Sequence, residues 1–194
     1  GAVHRLDVGN EASLGSNRAV AIGAPGVILC SGGFVRDLGK DLDEWRSRDV
    51  VSLYPADVAS LEVRVGDRDM HAVHLEDSWR LLRPLEDLAD PEHLRNVISN
   101  LDSLRVVEFL DDADTSTLGL DKPEYHVTVL RSEGREPVRL DFGQSREVDG
   151  VTEVVCLRDG KDIFWVKDEV RTRLAKAAVL WRSKVVFPFE TWDV

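Results

Sequence analysis

Apolar and polar residues alternate along much of the chain, and a period of two predicts strands with one buried face. Leu61, Val63 and Val65 are separated by Glu62 and Arg64, and Gly66-Asp67-Arg68-Asp69 then turns the chain. Residues 70–75 and 79–83 flank Glu76-Asp77-Ser78 as a second hairpin, and Pro84 ends its ladder because it has no N–H to donate. The pattern returns at residues 106–110, at Tyr125, Val127 and Val129, and, after a turn at Glu133-Gly134, at Val138, Leu140 and Phe142. Asp159-Gly160 lies between residues 151–158 and 161–166 and is the clearest two-residue hairpin signal, since such turns need positive φ.

The period changes twice. Asp90-Pro91-Glu92 predicts a helix start: Asp90 accepts from free N–H groups, Pro91 needs no donor there, and Glu92 faces the positive dipole end. Leu94, Val97, Ile98, Leu101 and Leu104 then form one helical stripe that needs a sheet to cover it. Asp168 opens a second expected helix whose inward stripe is Val170, Leu174, Ala177 and Ala178. Hairpins in series with helices inserted singly predict an α+β fold, in which antiparallel sheets carry helices packed on one face.

The chain also repeats itself. Trp45-Arg46-Ser47-Arg48-Asp49-Val50-Val51 returns as Trp181-Arg182-Ser183-Lys184-Val185-Val186-Phe187, and Asp57-Val58 as Asp193-Val194, all at a spacing of 136 residues. Leu38 and Lys40 match Leu174 and Lys176 in the same frame, whereas Leu6-Asp7-Val8-Gly9 matches Leu140-Asp141-Phe142-Gly143 at 134, a small indel expected in a hairpin. The frame predicts the end of a preceding unit at residues 1–44, a complete unit at 45–180 and the start of a third at 181–194. It also predicts equivalent places for Trp45 and Trp181, packed at the end of a helix. Trp79 and Trp165 belong to hairpin strands, and Trp192 lies near the terminus.

Composition narrows the function classes. Across 194 residues the net charge is −11, which opposes phosphate binding and anionic lipid surfaces, so nucleic acid is not an expected partner. Arginines alternate with acids, as in Glu62-Val63-Arg64 and Arg139-Leu140-Asp141, which reads as a solvated sheet face. The apolar runs are far shorter than the roughly 20 residues of a spanning helix, and no export signal is visible. Cys30 and Cys156 sit in apolar runs and are expected to be buried free thiols rather than a disulfide.

Several of these residues together carry a resemblance. Trp79-Arg80-Leu81-Leu82-Arg83-Pro84, the helix opening at Ala89-Asp90, Leu118-Gly119-Leu120-Asp121-Lys122-Pro123 and Leu140-Asp141-Phe142-Gly143 resemble, in that order, a bacterial repeat family whose function is unknown. The resemblance covers one unit, from about residue 45 to 180, and the tail of another. It implies a membrane-anchored, extracytoplasmic parent protein of the cell envelope, associated with the auxiliary subunits of gliding-motility-type ABC transporters. The family's anchor helix is missing from this chain, and the family carries no catalytic residues across.

Candidate chemistry is sparse. His71 and His74, with Glu76 near, look like metal ligands, but residues three apart on a strand point to opposite faces. Asp111-Asp112-Ala113-Asp114-Thr115-Ser116 has neither the glycine nor the bidentate glutamate of a calcium loop, and reads as a solvated loop. Cys30-Ser31-Gly32-Gly33 reads as a turn into a helix, because its repeat counterpart Val166-Lys167-Asp168 has no nucleophile. Phosphate-loop, dinucleotide, nucleophile-elbow and zinc-protease motifs are missing. No catalytic residue, cofactor or metal is therefore expected. The expected function is a non-enzymatic accessory or interaction module with protein partners in the envelope. A carbohydrate- or wall-binding module using Trp79, Arg80 and Arg83 as its ligand surface is the alternative, and a hydrolase ranks third.

Overall fold

The computed structural model describes residues 5–11, 16–23, 26–76, 78–132, 134–174 and 178–184. The chain divides into two compact units, Gly1–Arg46 and Ser47–Val194. Of the expected opening of a third unit at residues 181–194, residues 185–194, with Trp192, lie outside the described residues, as do His4, Lys176 and Ala177.

In the first unit, β1 (Leu6–Glu11), β2 (Arg18–Ile22) and β3 (Val27–Cys30) form an antiparallel sheet in that order. Two short helices follow, α1 (Gly32–Leu38) and α2 (Leu42–Trp45). Ser31 caps α1, its Oγ accepting from the Phe34 N–H at 3.3 Å.

The second unit opens with a 3-10 turn at Pro55–Asp57, then β4 (Val58–Val65), β5 (Arg68–Leu75), β6 (Ser78–Arg83) and the two-residue β7 (Asp87–Leu88). Helix α3 (Pro91–Asp102) begins as the sequence predicts, with Asp90 Oδ1 accepting from the N–H groups of Glu92 and His93. The remaining strands are β8 (Val106–Phe109), β9 (Tyr125–Arg131), β10 (Val138–Val148), β11 (Val151–Arg158) and β12 (Asp162–Lys167). Helix α4 (Glu169–Leu174) and a 3-10 turn at Ala178–Trp181 close the unit. All nine strands join one antiparallel sheet, in the order β7-β6-β5-β4-β9-β10-β11-β12-β8.

The α+β expectation holds, and both helices cover the same sheet face. Leu94, Val97, Ile98 and Leu101 of α3 and Val170 and Leu174 of α4 share one buried cluster with Leu61, Val63, Met70, Leu81, Val127, Leu140, Phe142, Phe164 and Val166. Each such aliphatic side chain contributes about 1.5–3 kcal/mol by leaving water. The Asp159-Gly160 turn forms with φ of 51° and 69°. A second turn of the same kind, Asp149-Gly150 at 51° and 77°, joins β10 to β11, and β10 runs on to Val148, beyond the apolar stretch that marked it.

The repeat is visible in the strand register. Leu6 faces Ile22, Val8 faces Val20 and, past a bulge, Glu11 faces Arg18. In β10 and β11, Leu140 faces Arg158, Phe142 faces Cys156 and, past a bulge, Ser145 faces Val154. Each pair of the second set lies 134 residues on along its first strand and 136 along its second, so the two-residue indel falls in the hairpin connection. The next strand keeps the 136 spacing: Ala21 faces Val27 and Arg18 faces Cys30, as Leu157 faces Ile163 and Val154 faces Val166. Helix α1 answers α4, and α2 answers the Ala178–Trp181 turn.

The two tryptophans stand at equivalent backbone positions but in unlike surroundings, contrary to the expectation of like packing. Trp181 is fully buried, with its carbonyl accepting from the Asp90 N–H at 2.8 Å and His93 edge-on to its ring at 5.8 Å. Trp45 is 58% exposed. The difference has a physical cause: α3, through its Asp90 cap and His93, supplies the cover for Trp181.

Candidate functional site

Strand alternation gives the second unit's sheet a polar outer face opposite the helices. Glu62 and Arg64 of β4, Asp69 and His71 of β5, His126 and Thr128 of β9, and Arg139 and Asp141 of β10 all point there, because their neighbours Leu61, Val63, Met70, Val127 and Leu140 point into the core. Seven of these, all but His71, line a depression of about 190 Å³. The His126 Nδ1 lies 2.7 Å from Asp141 Oδ1, an orienting contact that fixes the imidazole. Arg83 bridges two strands: its Nη1 donates to Asp69 Oδ2 at 2.7 Å and its Nη2 pairs with Glu62. Glu62, Asp69 and Asp141 on this face therefore each have a basic partner.

The far part of the same face is covered. Val155, Trp165 and Leu120 form a second small core, packed by Leu118, Leu157 and Ile163, under the loop that joins β8 to β9. Arg146 lies 4.2 Å over the Trp165 ring and pairs with Glu108 and Glu153 at 2.6 and 2.7 Å. Within the loop, Asp114 Oδ1 accepts from the Ser116 N–H and Oδ2 from its hydroxyl, which holds the Asp114 carboxyl below its usual range. The acidic segment thus organises its own turn, and among the described residues no three His, Cys, Asp or Glu side chains gather as a metal-holding group.

On the helix side a groove of about 500 Å³ opens at the core's rim between the Pro55–Asp57 turn, the β5–β6 hairpin and α3. Its lining includes Tyr54, His74, Trp79, Arg95 and Ile98. His74 stacks on Trp79 with ring centroids 4.8 Å apart, and Tyr54 is 69% exposed at the mouth.

The residues singled out in the sequence separate in space. Trp79 faces the core and is nearly buried, whereas Arg80 is exposed on the opposite side of β6, so the two do not share a surface. Arg83 follows a bulge, lies opposite His71 and is held by the acids named above. His71 and His74 point to opposite faces, as strand geometry requires. Cys156 is buried, and burial followed by the nearby Asp141 charge pushes its thiol well up. Cys30 is only half-buried, which corrects the expectation of burial for that residue; its counterpart Val166 lies in the second unit's main core together with the α3 stripe. Tyr54, Arg95 and the His126–Asp141 pair escaped sequence reasoning. Their joining depends on which strand lies beside which, although the outward positions of His126 and Asp141 were readable from the alternation.

The chain belongs to a class of repeat proteins built from hairpin-rich antiparallel sheets. The profile of the family DUF4340, a domain of unknown function, matches it twice, over residues 1–123 and 79–194, and the chain is a member of that family. Neither a curated protein nor a solved structure matches it.

Proposed function

We propose that this chain is a non-enzymatic interaction module of an extracytoplasmic envelope assembly, of the kind formed around a transporter or motility complex. The observation that carries the reading is the groove beside Tyr54, where an exposed aromatic ring, the His74–Trp79 stack and the Arg95 guanidinium converge on about 500 Å³. That combination suits an acidic peptide segment bearing an aromatic or branched side chain: the ring enters the slot and a carboxylate meets Arg95. The compartment and the transporter context come from the family resemblance.

Affinity capture from envelope membranes tests the proposal. Transporter or envelope subunits recovered with the wild-type chain and lost with Tyr54→Ala or Arg95→Glu support it, whereas equal recovery with both variants, or none with either, contradicts it.

A second reading, carbohydrate binding, is favoured by the exposed face of Tyr54, which could stack on a sugar ring. Oligosaccharide binding that survives Arg95→Glu but is lost with Tyr54→Ala would support this reading over the first.

A further inference from the structure

The first unit leaves exposed much of an apolar face that its counterpart buries, although Val20, the counterpart of Cys156, is buried. In the second unit the core positions Leu140, Phe142, Phe164, Val170, Leu174 and Trp181 are all buried. By the register described above, their equivalents are Leu6, Val8, Ile28, Phe34, Leu38 and Trp45, and every one of these six is at least 40% exposed. Leu42, at the place of Ala178, is 70% exposed. An exposed apolar set on one face of this kind marks an interaction surface.

Among the described residues, no strand pairs with the outer edge of either outer strand of the first sheet. β10, the counterpart of β1, bonds β9 along its other edge; β12, the counterpart of β3, bonds β8 along its own. In the three-stranded sheet, β1 and β3 are the edges. The second unit therefore shows, position by position, what satisfies such edges and such a face: one strand on each side and the α3 stripe laid over the middle.

We propose that the sheet of residues 5–46 is a receiving surface for a polypeptide segment patterned like residues 47–137, the front half of another repeat unit. That segment adds one strand beside β1 and one beside β3, and lays an amphipathic helix on Leu6, Val8, Ile28, Phe34 and Leu38. Main-chain pairing supplies affinity at the edges, and the apolar side chains set the register. The proposal is independent of the Tyr54 groove, which belongs to the other compact unit.

The test compares the 194-residue chain with an extended chain in which a second copy of residues 47–137 precedes residue 4, the junction that the 134-residue register dictates. Two reporters are native to the receiving surface. The half-buried Cys30 thiol should react with a thiol reagent in the 194-residue chain and at least about tenfold more slowly in the extended one, since exchange would then require local opening. Trp45 emission should shift to the blue. Leu101→Asp placed only in the added copy should restore both signals, because it removes the covering helix without touching the second unit. Cys30 and Trp45 that stay as accessible in the extended chain would overturn the proposal, as would an insoluble extended chain. So would a 194-residue chain that forms a dimer with Cys30 already protected, since a second copy would then be the occupant.

Discussion

A Cβ atom added to Gly143 would stand 2.3 Å from the carbonyl oxygen of Leu118, the same carbonyl that accepts from the Gln144 N–H at 2.9 Å. The β8–β9 loop thus seats its backbone directly on the bulge of β10, and only glycine leaves room. Gly143→Ala should cost about 1–3 kcal/mol, the usual range for forcing extra atoms into packed structure. A Cβ on its repeat counterpart Gly9 would meet the Ala19 carbonyl oxygen at 3.3 Å and the Ala19 Cβ at 3.6 Å, so Gly9→Ala should cost less. Urea midpoints of the two variants check the order.

The covering helix predicts a second contrast. Leu101 is fully buried in the main core, and Leu101→Ala should lower stability by about 2–5 kcal/mol. Leu42, exposed in the first unit, should change stability by no more than about 0.5 kcal/mol when replaced by Ala. Equal losses in chemical denaturation would contradict the burial assignment.

Cys156 should make stability depend on alkaline pH. Burial raises its thiol in the folded state, so the unfolded chain ionises first as pH rises. Its contribution is complete below the unfolded thiol value of about 8.5 and is lost progressively above it. Stability measured between pH 7 and 10 should decline, and Cys156→Ala should flatten that decline. In the native 194-residue chain, Cys30 should react with thiol reagents while Cys156 does not.

Asp87 offers the opposite sign. The Arg182 guanidinium, which donates to Asp87 Oδ2 at 2.6 Å, and the Leu88 N–H hold its carboxyl below the ordinary value. Stabilisation from this contact is present above the unfolded carboxylate value near 3.9 and disappears as pH falls through the folded one. In Arg182→Gln the Asp87 titration, followed by carboxyl NMR shifts, should move up. An unchanged midpoint would show that the guanidinium does not act on it.

Local chemistry made much of this architecture legible before any coordinates. The Asp90-Pro91-Glu92 start, the α3 stripe, the Asp159-Gly160 turn and the alternation of β4 and β9 each follow from short-range rules, and each stands where those rules place it. The extra length of β10 did not, because its last residues, Gln144 to Val148, break the alternation and are mostly exposed. The groove was invisible for another reason: Tyr54, His74, Trp79 and Arg95 are brought together by the packing of α3 over a hairpin, a relation between distant segments. For Trp79 core packing is the favoured expectation and ligand stacking the alternative, since tryptophan suits both and parity alone does not say which side of β6 is covered.

The repeated register of the first and second units underlies every equivalence between them. Cross-strand nuclear Overhauser contacts between backbone protons give it directly. The repeat predicts contacts joining Val8 to Val20 and Phe142 to Cys156, with bulges following Val8 and Phe142. A spectrum in which Val8 opposes any residue other than Val20, while Phe142 opposes Cys156, would contradict it.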